Sequence, residues 1–235
     1  MKIENLTSNE IISKLEVPNE DSSTPIKDNE AQFIFEFIKK HGIKKTLETG
    51  FAYAKSASHI IASTQQKHIA IDPFQDNYQR LGLKNIKKLG FNDFLDFRED
   101  YSHNVLPELV KKGEKFEFIF IDGDHKYDGE FVDFYFADLL LEDDGFVLLH
   151  DTWMRSTRLV MEFIKTNRKD YKELQTGLRN IALYQKCGKD NRNGMFFKEF
   201  YTRKATLSYN IIMWMSNGKK SIIKNILFTL KDKLK

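Results

Sequence analysis

The sequence predicts an α/β fold, a mostly parallel sheet with helices on both faces. Three observations carry this. Five short β-rich runs alternate with helical stretches between residues 44 and 167, the rhythm of βαβ units. The strand runs are continuous apolar stretches rather than alternating ones, as buried parallel strands require. The last two runs are joined only by TGLR, short enough for a hairpin, so one of them should run antiparallel.

The elements follow in order. Residues 1–27 are polar and include PNEDSSTP, which reads as a loosely packed N-terminal arm. From Asp28 to His41, Phe33, Ile34, Phe37 and Ile38 recur with helical spacing, and Gly42 is a natural stop. Strands are expected at 44–49, 67–72, 94–99, 116–122 and 145–150, with helices near 54–64, 76–89, 104–112, 126–141 and 156–167. The terminal strands are expected at 171–175 and 180–186. The reading divides the chain into an arm (1–27), an α/β domain (28–186) and a basic extension (187–235).

Composition narrows the classes. The chain has 235 residues, 41% of them hydrophobic, with 12 Gly and 4 Pro, which excludes collagen and disorder throughout. Cys187 is the single cysteine, so CxxC zinc sites are excluded and a reducing, cytoplasmic setting is expected. The start reads as lacking a secretory signal, and no run approaches about 18 apolar residues. The net charge of +3 hides a division: from Lys186 onward there are 12 Lys/Arg against 3 Asp/Glu, so the preceding body is acidic.

In an open parallel sheet, ligands bind beyond the carboxyl ends of the strands. Those ends read Glu48-Thr49-Gly50-Phe51-Ala52-Tyr53-Ala54-Lys55-Ser56, then Asp72-Pro73, then Glu99-Asp100-Tyr101-Ser102, then Asp122-Gly123-Asp124-His125, then His150-Asp151-Thr152. Every strand end carries an acid. Small residues after the first strand let a ligand approach the backbone. Asp72 stands 22 residues after Gly50, the spacing of an acid that holds ribose hydroxyls. The pattern departs from GxGxxG, and Glu48 would repel a pyrophosphate, which argues against a nicotinamide cofactor.

These residues resemble a known family. ETGFAYAKS, IAIDPF, EDYSHNVLPEL, FIFIDGDHKYDG and LLEDDGFVLLHDTW are similar to the class I S-adenosylmethionine-dependent methyltransferases. The likeness is to the branch with IDGDH and HD at the fourth and fifth strand ends, which includes small-molecule and sugar O-methyltransferases. It covers about residues 30–186 and implies a Rossmann-like sheet of seven strands in the order 3-2-1-4-5-7-6. The resemblance implies that Glu48, Gly50, Ala52, Tyr53 and Ser56 contact the methionine moiety of S-adenosylmethionine. Asp72 would hold its ribose, and Asp100, Tyr101 and Ser102 would lie by its adenine. Ala54 stands where the family usually has glycine.

Asp122 and Asp151 fall at the ends of adjacent strands, roughly 5 Å apart across a sheet. In metal-dependent relatives acids here hold a divalent cation. Hard oxygen ligands suit Mg²⁺, and His150 is a candidate third ligand. Asp122 would also border the cofactor, and His125 would take the acceptor's hydroxyl proton. Structural readings compete: Asp-Gly-Asp is a good turn sequence, Asp124 reads as structural, and His125 could cap the next helix. His41, His59, His68 and His103 read as structural, and Trp153 and Arg179 as neighbours of the acceptor.

In the tail, Ile223, Ile226, Leu227, Leu230 and Leu234 form an apolar stripe beside Lys220, Lys224, Lys231 and Lys235, a basic amphipathic helix. It could pack on the body, pair with a second subunit, or lie on the inner face of a membrane. Nucleic acid binding is not expected of an acidic body. The expected function is O-methylation of a small hydroxylated acceptor, such as a sugar or glycan precursor, with Mg²⁺ as an optional helper. The alternative is a non-catalytic protein of methyltransferase fold that docks through its tail. A nicotinamide oxidoreductase rests on the shared fold alone.

Overall fold

The computed structural model of the protein describes residues 6–198 and residue 200. The chain divides into Met1–Phe196 and Phe197–Lys235, and the fold is that of the first unit. The expected basic helix of the tail lies outside the described residues.

The core of the fold is a sheet. Strands β1 (Thr46–Thr49), β2 (His68–Ile71), β3 (Leu95–Arg98), β4 (Phe116–Ile121), β5 (Leu141–Leu149), β6 (Tyr171–Leu174) and β7 (Ala182–Lys186) lie in the order β3-β2-β1-β4-β5-β7-β6. Strands β1 to β5 pair in parallel, and β7 runs antiparallel to both β5 and β6. The expected order and the expected antiparallel strand are both present.

Helices cover both faces: α2 (Asp28–His41) and α3 (Lys55–Thr64), then α4 (Leu81–Lys88), α5 (Ser102–Lys111), α6 (Tyr127–Leu140) and α7 (Arg155–Asn167). Alternation along β4 divides the core. Ile119 and Ile121 pack with Leu106, Phe134 and Val160 from α5, α6 and α7. Phe118 and Phe120 pack with Ile34 and Ile38 of α2 and Ile60 of α3. Each of these side chains is almost wholly buried, so truncating one would cost about 2–5 kcal/mol.

Three elements differ from expectation. The N-terminal arm contains a helix, α1 (Ser8–Lys14), closed by a capping box between Thr7 and Glu10. Ile11 on it is fully buried, and Ser8 bonds the buried His59 at 3.0 Å, so this part of the arm is packed. The helix expected over 76–89 is broken: a short 3-10 turn (Gln75–Tyr78) precedes α4, with Gln79 and Arg80 left-handed between them. Arg80 holds this break through a bidentate pair with Glu99 at 2.6 and 2.9 Å. Strand β5 starts at Leu141, because the turn-like Glu142–Gly145 is a bulge within the strand rather than a loop before it. At the other end, residues past β7 stay packed on the first unit: Cys187 N donates to Asp170 O at 2.7 Å, and the Arg192 guanidinium lies 5.6 Å over the Phe163 ring.

The register brings the strand ends to one level. Thr49 pairs with Ile71 and Ile121, and Ile121 with Leu149. The residue after each strand then extends the ladder by one bond: Gly50 N to Ile71 O, Asp122 N to Thr49 O, His150 N to Ile121 O, and Asp72 N to Arg98 O, at 2.9–3.1 Å. Gly50 has φ +89, and a Cβ there would lie 2.1 Å from the Asp122 carbonyl oxygen. No side chain fits that approach. Gly50→Ala is expected to cost about 4 kcal/mol or more, through left-handed strain and a backbone overlap that cannot relax. Urea unfolding of the purified variant measures this; a loss below about 1 kcal/mol would contradict the close packing.

Candidate active site

The level strand ends form the floor of a cleft of about 310 Å³, the size of a site for a nucleoside-scale ligand. Gly50, Phe51, Ala52, Tyr53 and Ser56 line it, with Asp72, Tyr101, Ser102, Asp122, His125 and Asp151. Most of the expected site residues are therefore brought together.

The loop after β1 owes its shape to Asp72. The Asp72 carboxylate accepts from Phe51 N (3.1 Å), Ala52 N (2.9 Å) and Phe74 N (2.7 Å). It thus pins the loop across the end of β2 while buried at 5% exposure. Ala52 and Ala54 both adopt left-handed conformations, with φ +42 and +61. The Ala54 methyl is fully buried in the core beneath the loop, so alanine in place of the family's glycine is accommodated. The strain of a left-handed alanine, about 1–2 kcal/mol, is offset by that packing.

Two expected residues stand elsewhere. Glu48 does not reach the cleft: it is fully buried within β1 and faces His68 Nε2 at 3.5 Å. Burial pushes its carboxyl up, and His68 and Ser56 oppose that rise. Asp100 points to solvent, where it accepts from Tyr101 N and Asn104 Nδ2 at 2.7 and 2.9 Å and so fastens the start of α5. Neither acid lines the cleft. Trp153 is 65% exposed and donates to Asp151 Oδ1 at 2.9 Å, while the Arg179 carbonyl accepts from Thr152 Oγ1 at 2.7 Å; neither lines the cleft.

The reactive end is organised around His150. Its Nδ1 lies 3.0 Å from Asp122 Oδ1 and 3.4 Å from Asp151 Oδ1, close enough for charge attraction but without hydrogen-bond geometry. Its Nε2 lies 3.1 Å from Glu30 Oε2. The Asn180 amide nitrogen also lies 3.1 Å from Nε2, so three acids and one amide surround the ring. Burial lowers a histidine's affinity for its proton, but the three acids outweigh it and push His150 up to about 12. Burial raises the Asp122 carboxyl, with His150 opposing. Asp151 is held well below the usual carboxylate range, because His150, Asn180 and Trp153 overcome its burial. His150 is buried behind the two acids, and the group able to hold a cation takes His125 in the place expected of His150.

His125 takes the outer position. Its Nε2 lies 3.4 Å from Asp151 Oδ2, and Asp122, His125 and Asp151 present donor atoms that all lie within 4.8 Å of one another. Two carboxylates at that spacing fit a divalent cation, with the imidazole beside them at the rim.

Sequence reasoning missed Glu30. Its signal was a carboxylate on the otherwise apolar face of α2, beside Ala31 and Ile34, where a charge needs a buried partner. It also missed the wall that Thr24, Pro25 and Ile26 contribute from the arm. Tyr53 donates its hydroxyl to Asp21, and Lys55 pairs with Asp28 at 2.5 Å, which ties this wall to the loop after β1.

The sheet order and the strand-end cleft define a Rossmann-like methyltransferase fold. Solved structures agree: an O-methyltransferase from Bacillus cereus in complex with SAH superposes with TM-score 0.63 at 14% identity, covering 77% of this chain and 90% of that one. TomG of Streptomyces achromogenes, an O-methyltransferase of tomaymycin synthesis in complex with SAM, gives 0.62 at 13% identity, covering 80% of this chain and 100% of that one. The profile of the O-methyltransferase family matches residues 7–192, and the chain belongs to that family. Curated relatives include caffeoyl-CoA O-methyltransferase 1 of Eucalyptus globulus, 35% identical over 100 residues and 41% of this chain. Another is caffeoyl-CoA O-methyltransferase 1 of Zea mays, 36% identical over 101 residues and 41% of this chain. The chain matches about 40% of the length of these relatives. Among the described residues no helix is long and apolar enough to cross a membrane.

The upward push of the acids on His150 makes stability pH-dependent. The folded value lies above the unfolded one, about 6.5, so the stabilisation is full below pH 6.5 and is lost as pH rises toward 12. In EDTA, wild type is expected to lose up to about 1.4 kcal/mol per pH unit from pH 7 to 9, and His150→Gln much less. Equal slopes in urea unfolding would contradict a buried imidazolium.

Proposed function

We propose that this chain is an S-adenosylmethionine-dependent O-methyltransferase acting on a small acceptor with adjacent hydroxyls, a sugar or glycan precursor among them, with a divalent cation assisting. The observation that carries this reading is the cluster Asp122–His125–Asp151 at the rim of a nucleoside-sized cleft. The names of the curated relatives support an acceptor that carries vicinal hydroxyls.

In this reading the loop Gly50–Ser56 cradles the methionine moiety, and its backbone is already fixed by Asp72, whose remaining lone pairs face the ribose. Tyr101 and Ser102 flank the base. Asp122 and Asp151 would hold the cation, Mg²⁺ being the ion that hard oxygen donors favour. When bound, that ion lowers the pKa of a chelated hydroxyl. His125, at the rim and 44% exposed, takes the hydroxyl proton on its free nitrogen as the oxygen–carbon bond forms and the sulfonium leaves as a thioether. His150 and Glu30 hold the two acids in place meanwhile. Alignment of oxygen, methyl carbon and sulfur supplies the rest of the rate. Attachment to a membrane face, or to a second copy through the basic tail, is part of the same proposal and rests on sequence alone.

Calorimetry with S-adenosylhomocysteine tests the cofactor. Asp72→Ala is expected to weaken binding at least ~10-fold, the loss of a charged hydrogen bond; no binding by folded wild type at millimolar ligand would overturn the reading. Transfer to a catechol or sugar-diol library should fall on the order of 100-fold in EDTA and return with Mg²⁺, while Asp122→Asn stays inactive in both conditions. Full activity of Asp122→Asn would remove Asp122 from the chemistry.

A further inference from the structure

Beneath the cleft, helix α6 carries an acid that the mechanism does not use. Asp133 is 1% exposed, and neither of its carboxyl oxygens has a hydrogen-bond partner. It lies on a buried stretch of the helix, where Phe134 and Ala137 are also almost fully buried. A buried carboxylate left without partners costs several kcal/mol, so its retention asks for a role. Two hydroxyls face it, those of Ser102 and Thr49, and both lower its pKa. The Thr49 hydroxyl is itself buried and unpartnered, whereas Ser102 is half-buried and lines the cleft. Neither is in hydrogen-bond geometry with the carboxylate. The other charged groups facing Asp133 are Asp124 after β4, His103 on α5 and Glu130 one turn away on α6.

We propose that Asp133 is a positioning residue: when ligand binds, both hydroxyls come into hydrogen-bond geometry and the carboxylate takes the proton of the Ser102 hydroxyl as a hydrogen bond, so that Ser102 offers only lone pairs to the base of the bound nucleoside. The proposal rests on the reading of Tyr101 and Ser102 as the base-binding end. A serine hydroxyl has one proton and two lone pairs. With that proton committed to a fixed carboxylate, the hydroxyl can accept from an exocyclic amino group, as in adenine. It cannot donate to the keto oxygen that replaces the amino group in hypoxanthine. The two oxygens would face each other, with both left unpaired in a partly dry site. Thr49 serves the second carboxyl oxygen, which stops Asp133 from turning away. Burial raises the Asp133 carboxyl to about 6, against the pull of Ser102 and Thr49, so it is ionised above neutral pH.

The test is calorimetry at pH 7.5 with S-adenosylhomocysteine and its deaminated analogue, S-inosylhomocysteine, on the full chain. Wild type is expected to prefer the amino form on the order of 100-fold, as sites that leave buried polar groups unpaired with the wrong ligand do. Asp133→Asn should cut that ratio to below about 10, because its amide can donate to Ser102 and free the hydroxyl proton for a keto oxygen. Ser102→Ala should do the same, and the double variant should fall no further, since both act through one bond. A folded Asp133→Asn that keeps the wild-type ratio would overturn the proposal. Should that variant not fold, an unchanged ratio in Ser102→Ala would overturn it equally. Wild type binding both ligands equally sinks this inference alone; wild type binding neither sinks the cofactor reading beneath it.

Discussion

One imidazole, His150, sits among three carboxylates that come from three parts of the chain and push it toward the charged form. Asp122 follows β4, Asp151 follows β5, and Glu30 lies in the first turn of α2. Without the central cation, two acids on adjacent strand ends and a third behind them would repel at close range in a site partly withdrawn from water. With it, the negative ends of the cleft are held at a fixed spacing before any ligand arrives. Glu30 is also bound by the Lys27 backbone amide at 2.8 Å, so the same interaction anchors the start of α2 and the wall of residues 24–26 that precedes it. The geometry of the reactive end, the position of the N-terminal segment and the protonation of the acids therefore share one cause.

The cofactor end rests on a different device, close backbone contact. Gly50 touches the end of β4, and Gly82 at the start of α4 would place a Cβ 2.3 Å from the Ala52 carbonyl. The loop after β1 is thus clamped from two sides, and Asp72 takes its amides from a third. Such a loop is preorganised, which favours binding because little order remains to be lost. The two ends meet at Asp122, whose carbonyl packs on Gly50 while its carboxylate faces His150.

Much of this was legible in the sequence, and for a physical reason. Parallel strands buried on both faces must be apolar runs, and the first polar residues after each run mark its end, so Asp72, Asp122 and the His150-Asp151 pair are placed by the sequence itself. Glu48 and Asp100 show where that logic stops. Glu48 lies inside the strand, beside Ala70 and Phe120 in register, and so turns into the core. Asp100 lies far enough past its strand to serve the helix that follows. The pairing of His150 with Glu30 spans 120 positions, and no local pattern encodes it. Helix α1 was legible in principle, since Thr7 and Glu10 spell a capping box directly before Ile11, but a polar composition outweighed that signal. Asp133 belongs with Glu30: each is an acid on an apolar helix face, and each faces partners supplied by other elements.

The protonation state of His150 is the most direct probe. In protein labelled with ¹⁵N-histidine and freed of metal by EDTA, the ring nitrogens of His150, assigned by their loss in His150→Gln, should both carry protons at pH 8.5 and show the shifts of an imidazolium. A single protonated nitrogen with the other free as an acceptor would mean a neutral ring, and the account of how the three carboxylates are held together would fail.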